Sequence, residues 1–265
     1  MNTVRMVIGG LGIVWLLAPA AQADWDPGDW HKMHHAQLPD LSPLGLDVNG
    51  TSNILADDFQ CAQSGPITSI HIWGSWLYDQ VPDGGAGDAW FYLSLHADIP
   101  KEQNPEGYSK PGDFLWGDTF SPGEFTSRIY RGGILEGWYD PAKGTYLPSG
   151  ADTVCWQYNF PVDPQNTFNQ VAGTTYWLDV KVAPGDEAAK FGWKTADPTL
   201  RWNDDAVWGT GNEPYDGPWK AVTYPVGHAL GGESLDLAFV IVPEPATLAF
   251  LGLGLAGLLV GRRNR

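Results

Sequence analysis

The chain has 265 residues, 43% of them hydrophobic and 13% aromatic, which is enough for a folded core and too much for a disordered segment. Its formal net charge is −16. Such a surface repels phosphates, so nucleic acid and anionic lipid are discounted as partners.

Residues 1–23 read as a secretory signal peptide. Arg5 supplies the positive start, and Val7 to Leu17 is an apolar run too short to cross a bilayer. Ala21-Gln22-Ala23 is an A-x-A cleavage site, with Asp24 as the expected new first residue. The two ends hold four of the 15 basic residues and one of the 31 acidic ones, leaving 11 against 30, or −19, for residues 24–242. That balance suits solubility outside the cell.

After the signal come Asp24, Asp26 and Asp29, then His31, His34 and His35. Zinc catalysis wants a phrase such as H-E-x-x-H on a helix, and here Lys32 and Met33 intervene, so a solvated segment is expected. From residue 54 onward the recurring pattern has period 2, broken by Gly, Pro and Asp. Ile70, Ile72 and Trp76 share one face, as do Ala89, Phe91, Leu93 and Leu95. Val154, Trp156, Tyr158 and Phe160 form another such set, followed by Tyr176, Leu178, Val180 and Val182, and by Leu235, Leu237, Phe239 and Ile241. Shorter runs lie at 54–59, 114–120, 134–138, 190–195 and 219–224. Asn49-Gly50, Asp83-Gly84-Gly85 and Pro184-Gly185-Asp186 mark turns. About ten strands in this pattern predict an all-β, antiparallel β-sandwich of jelly-roll type, one ectodomain over residues 24–242.

Several side chains are candidate sites. Cys61 and Cys155 are the two cysteines, and in an exported chain one pair allows one intramolecular disulfide. Trp90, Tyr92 and His96 alternate outward opposite a core set, a weak ligand-face candidate. Asp204 and Asp205, beside Asn203, offer oxygens for structural calcium, although no EF-hand loop surrounds them. Thirty acids guarantee some pair at glycosidase spacing, so their number points to no hydrolase. No G-x-S-x-G elbow or phosphate-binding glycine loop is present, and no catalytic residue is assigned.

The last 23 residues are the most specific feature. Pro243-Glu244-Pro245 precedes the apolar stretch Ala246 to Val260 and the basic tail Arg262, Arg263 and Arg265. As a helix that stretch would reach about 22 Å, a short span whose arginines stay cytoplasmic. This three-part end resembles the PEP-CTERM sorting signal of Gram-negative bacteria that make exopolysaccharide. The resemblance implies recognition by exosortase, a membrane-anchored precursor, and transfer of the ectodomain to the cell surface or extracellular matrix. The body resembles a domain of unknown function found in PEP-CTERM proteins of planctomycetes and related bacteria. Its matching phrases are Ala56–Cys61, Gly65–Trp76, Phe191–Thr195, Trp202–Trp208 and Gly232–Ile241. The expected role is a non-enzymatic structural or adhesive one. A lectin-like module recognising exopolysaccharide is the alternative, and a polysaccharide hydrolase or lyase a more distant one.

Overall fold

The computed structural model describes residues 24–212 and 214–242. Ala21, Ala23, the Pro243-Glu244-Pro245 motif, the apolar stretch and the arginine tail lie outside the described residues.

In chain order the strands are β1 (Leu46–Asn49), β2 (Ile54–Gln60), β3 (Gly65–Pro66), β4 (Ser69–Trp76), β5 (Ala89–Ile99), β6 (Lys110–Phe120) and β7 (Thr126–Asp140). They continue with β8 (Thr145–Pro161), β9 (Asn169–Gln170), β10 (Thr175–Pro184), β11 (Phe191–Lys194), β12 (Val207–Gly209), β13 (Lys220–Ala221) and β14 (Phe239–Val242). Two six-stranded sheets form the sandwich, ordered β11-β1-β7-β8-β4-β14 and β13-β12-β2-β10-β5-β6. The all-β sandwich read from the period-2 pattern is the fold observed.

The alternation explains the core. Ala89, Phe91, Leu93 and Leu95 on β5 are all buried against the first sheet, and each of the larger three contributes roughly 1.5–3 kcal/mol by leaving water. Phe91 is the hub, with the rings of Phe125, Tyr158, Phe160 and Phe191 centred 4.9–5.3 Å away. Tyr158 and Phe160 come from β8, so this cluster joins the two layers.

The first sheet is more than a layer. Strand β11 pairs with β1 on one side and with β4 on the other, closing β11-β1-β7-β8-β4 into a five-stranded ring. Strand β4 makes this possible by dividing one edge, giving Ser69–Ile72 to β14 and Gly74–Trp76 to β11. The contact between β1 and β7 is parallel. Gly192 is required at the closure, since a Cβ there would sit 2.6 Å from the Trp138 ring and 2.7 Å from Asp47 Cβ.

Three elements differ from the sequence reading. Strands β7 and β8 run for 15 and 17 residues, much longer than the periodic runs within them. Register shifts between Ile129 and Arg131, Gly132 and Glu136, and Glu136 and Trp138 interrupt the alternation, so period 2 fades where the ladder continues. The last run begins as a strand only at Phe239 because Leu237 N–H is given to the Asp57 carboxylate at 2.6 Å. Leu235 and Leu237 remain buried all the same. The segment expected to be solvated is packed down: Met33 bridges to Cys61, Gln37 to Phe239 and Pro39 to Ala196.

Candidate functional site

The ring gathers polar side chains at its centre. Asp47 on β1, Ser75 on β4, Glu136 on β7, Asp152 on β8 and Lys194 on β11 each come from a different strand, and all are at most 1% exposed. Asp47 stands directly across from Lys194 in the ladder, and Glu136 across from Asp152. Lys194 Nζ lies 3.4 Å from Asp47 Oδ2 and forms a closer ion pair with Glu136 Oε1. Ser75 Oγ donates to Glu136 Oε2 at 3.0 Å. One carboxylate oxygen from each of Asp47, Glu136 and Asp152 falls within 4.8 Å of the others.

Burial in this low-dielectric centre dominates the protonation of the group. It raises Asp47 well above the usual carboxylate range, with Lys194 pulling the other way. It pushes Asp152 up to about 10, helped by the neighbouring Asp47 and Glu136 charges. Burial alone would lower Lys194, but Asp47 and Glu136 outweigh it and hold the ammonium above its ordinary value.

A second buried acidic group lies along the seam where the N-terminal segment meets β2. Asp57 Oδ2 accepts from Leu237 N and from Gln37 Nε2 at 3.1 Å, and Oδ1 accepts from Asp58 N at 2.9 Å. Asp58 Oδ2 accepts from Asn203 Nδ2, and Asp236 Oδ2 from Trp202 N at 2.8 Å. Burial raises Asp57 and Asp58, and lifts Asp236 to about 7. Three separate stretches, 56–61, 202–208 and 232–241, are thus tied together by carboxylates.

Residues 33–242 match the model of a domain of unknown function, DUF7901. The chain belongs to the DUF7901 family. Residues 242–265 match the PEP-CTERM protein-sorting motif, so the protein is an exported, membrane-anchored precursor that exosortase processes and that is sorted to the cell surface. No curated protein and no solved structure matches the chain.

Within this DUF7901 domain the sites read from sequence fare differently. Trp90 is 38% exposed and Tyr92 half-buried, but His96 is fully buried and cannot face a ligand. Its Nε2 pairs with Asp179 Oδ2 at 3.0 Å, and Phe114 and Trp219 cover the ring. The cause is a second apolar cluster of Ile54, Ala56, Trp177, Val207, Tyr215 and Trp219, which roofs that part of the outer face. Tyr92 instead shares an open groove of about 400 Å³ with Ser94, Phe114, Asp118, Thr119 and Pro214.

The disulfide expectation is overturned: Cys61 and Cys155 are both free and buried. Cys61 follows β2 in one sheet, whereas Cys155 pairs with Ser75 in the middle of the other sheet's ring, so the sandwich holds them in separate layers. Asp204 spends one oxygen on Ser109 Oγ at 2.5 Å and the other faces Lys101 at 3.7 Å. Asp204 and Asp205 do not form a three-ligand group with other acids among the described residues. His34 stacks on Trp202 at 4.0 Å and is lowered to about 4, mainly by burial, so the histidines near it serve packing. Sequence reading missed the ring group because its members stand far apart in the chain, the three acids in the unremarkable phrases LDVN, LEGW and ADTV.

Proposed function

We propose that the sorted DUF7901 ectodomain is a non-enzymatic component of the cell surface or extracellular matrix, with a structural or adhesive role. One observation carries this reading. The carboxylates and lysine dense enough for acid–base chemistry, Asp47, Glu136, Asp152 and Lys194, are closed inside the ring and bind its strands to one another. A general acid or base must come within hydrogen-bond reach of its substrate. A side chain sealed between five strands acts on the fold instead.

A second reading is favoured by the open groove beside β5 and β6. Tyr92 and Phe114, the latter 52% exposed, offer aromatic faces for a sugar ring, while Asp118 and Thr119 supply carboxylate and hydroxyl partners. On this reading the adhesive contact is to exopolysaccharide.

The protein purified after export, applied to a glycan array and to polysaccharide from its own host, tests both. Retention that falls at least about tenfold in Tyr92→Ala and Phe114→Ala supports the carbohydrate contact. Absence of glycan binding, with loss of matrix cohesion when the protein is deleted, supports the structural role alone. Shortening of a polysaccharide by the protein would overturn both.

A further inference from the structure

With its carboxyl groups ionised, the five-stranded ring would hold an imbalance of charge. Three carboxylates, Asp47, Glu136 and Asp152, face one ammonium, Lys194, and ionised they leave two negative charges in excess. Hydrogen-bond donors are short as well. Lys194 pairs with Asp47 and Glu136, and Ser75 with Glu136. Asp152 is 1% exposed, yet neither of its oxygens receives an N–H or hydroxyl donor, and Asp47 Oδ1 is in the same position. A buried carboxylate without a partner is among the most unfavourable arrangements in a protein interior. Here Asp152 has other carboxyl groups around it, and it lies together with Asp47 Oδ1 beside Glu136.

We propose that Asp47, Glu136 and Asp152 bind one hard divalent cation, calcium, inside the ring. The charge of such an ion cancels the excess. The donor set is oxygen, the ligand type calcium takes, and each of the three carboxylates offers at least one oxygen to a common point. Lys194 pairs with Asp47 and Glu136 and forms no ion pair with Asp152 among the described residues, so Asp152 is the ligand farthest from competition with the ammonium. The site is distinct from Asp204 and Asp205. Because the five side chains are shut from solvent, the ion enters as the ring closes during folding, and the exported protein folds where calcium is plentiful. Binding energy then appears as folding stability.

The test uses the full exported protein, purified from calcium-containing medium and dialysed against calcium-free buffer. Elemental analysis should find about one calcium per chain retained. Unfolding and refolding in a calcium chelator should lower Tm by about 5–10 °C, and refolding with millimolar calcium should restore it. Asp152→Asn keeps the side-chain shape and removes one ligand charge; it should lose both the ion and the calcium response. Glu136→Gln serves the same purpose if that variant does not fold. The proposal is overturned by a protein that retains no metal and melts alike with and without calcium. It is equally overturned if Asp152→Asn retains its full calcium, or if zinc binds and calcium does not. A Tm that is the same with and without calcium, and that rises as pH falls from 8 to 5 in the parent more steeply than in Asp152→Asn, would mean that protons balance the carboxylates, and would also overturn it.

Discussion

The two buried acidic groups use the same side chain in opposite ways. Along the seam, Asp57, Asp58 and Asp236 meet N–H donors: Leu237 N, Asp58 N, Trp202 N, Asn203 Nδ2 and Gln37 Nε2. These carboxylates are hydrogen-bond struts between chain segments, and protonation need not break most of those bonds. In the ring, Asp47, Glu136 and Asp152 have few donors and one full positive charge, Lys194. Placing charge in the interior is stabilising only while its partner stays; directed neutral donors are less demanding. The contrast means that the ring should respond sharply to loss of a charge, and the seam more gently to pH.

Lys194→Met breaks the ring side of this comparison and carries the largest expected effect. It keeps the length of the apolar stem and leaves three buried carboxyl groups without an ammonium. The loss should be about 3–5 kcal/mol in urea unfolding, seen as a lower midpoint at constant m. In calcium-free, chelator-treated protein, adding Asp47→Asn and Glu136→Gln to the same chain should recover much of it, because the charges orphaned by the first change are then gone. A cost under about 1 kcal/mol for Lys194→Met would show that packing, not charge, holds the ring shut.

The seam side is sharpened by pH. Burial raises Asp236 to about 7, against about 3.9 in an unfolded chain. Below about pH 4 both states hold the proton, so the group makes no difference to stability. Between about pH 4 and 7 the unfolded chain has released its proton while the folded one retains it, and stability falls as pH rises; above 7 the loss is complete. Asp236→Asn removes this contribution while its carbonyl still accepts Trp202 N–H. The variant should therefore gain on the parent between pH 4.5 and 7.5, with a shallower fall in urea midpoint. Parallel profiles for the two proteins would show that Asp236 ionises normally in the fold.

How far each group was legible follows from where its residues lie. Asp57 and Asp58, Asn203, and Asp236 sit within three distinctive phrases, although their convergence depends on a topology that the phrases do not state. In the ring group Ser75 and Lys194 lie in such phrases, but its three acids do not: Glu136 and Asp152 pair between two register shifts that hide the true length of β7 and β8. Alternation placed Phe91, Leu93 and Leu95 in the core because one face of β5 is buried. The same rule sent His96 outward and failed there, because Trp219, backed by Tyr215, arrives from a stretch without strand periodicity to cover it. Period 2 tells the two faces of a strand apart. It does not tell whether the second face meets water.

The two cysteines carry the smallest expected effect, and their logic runs opposite to that of the charges. Export made a disulfide the natural reading of Cys61 and Cys155, since an oxidising compartment permits one. The structure decides against it: both thiols are free and buried, Cys61 just past β2 and Cys155 on β8 of the other sheet. Oxidation is then resisted by burial rather than prevented by a reductant. The thiolate is the reactive form, and burial pushes Cys61 up to about 12 and raises Cys155 as well, with the nearby Glu136 charge adding to it. A reducing agent should accordingly leave Tm within about 1 °C of its value without reductant, whereas cutting a real disulfide costs about 2–5 kcal/mol. A thiol-reactive probe should label neither cysteine in the folded protein over minutes and both after denaturation. Rapid labelling of the native state would show that the layers open locally at Cys61 or Cys155. Absence of labelling in denaturant without reductant, with labelling once reductant is added, would restore the disulfide.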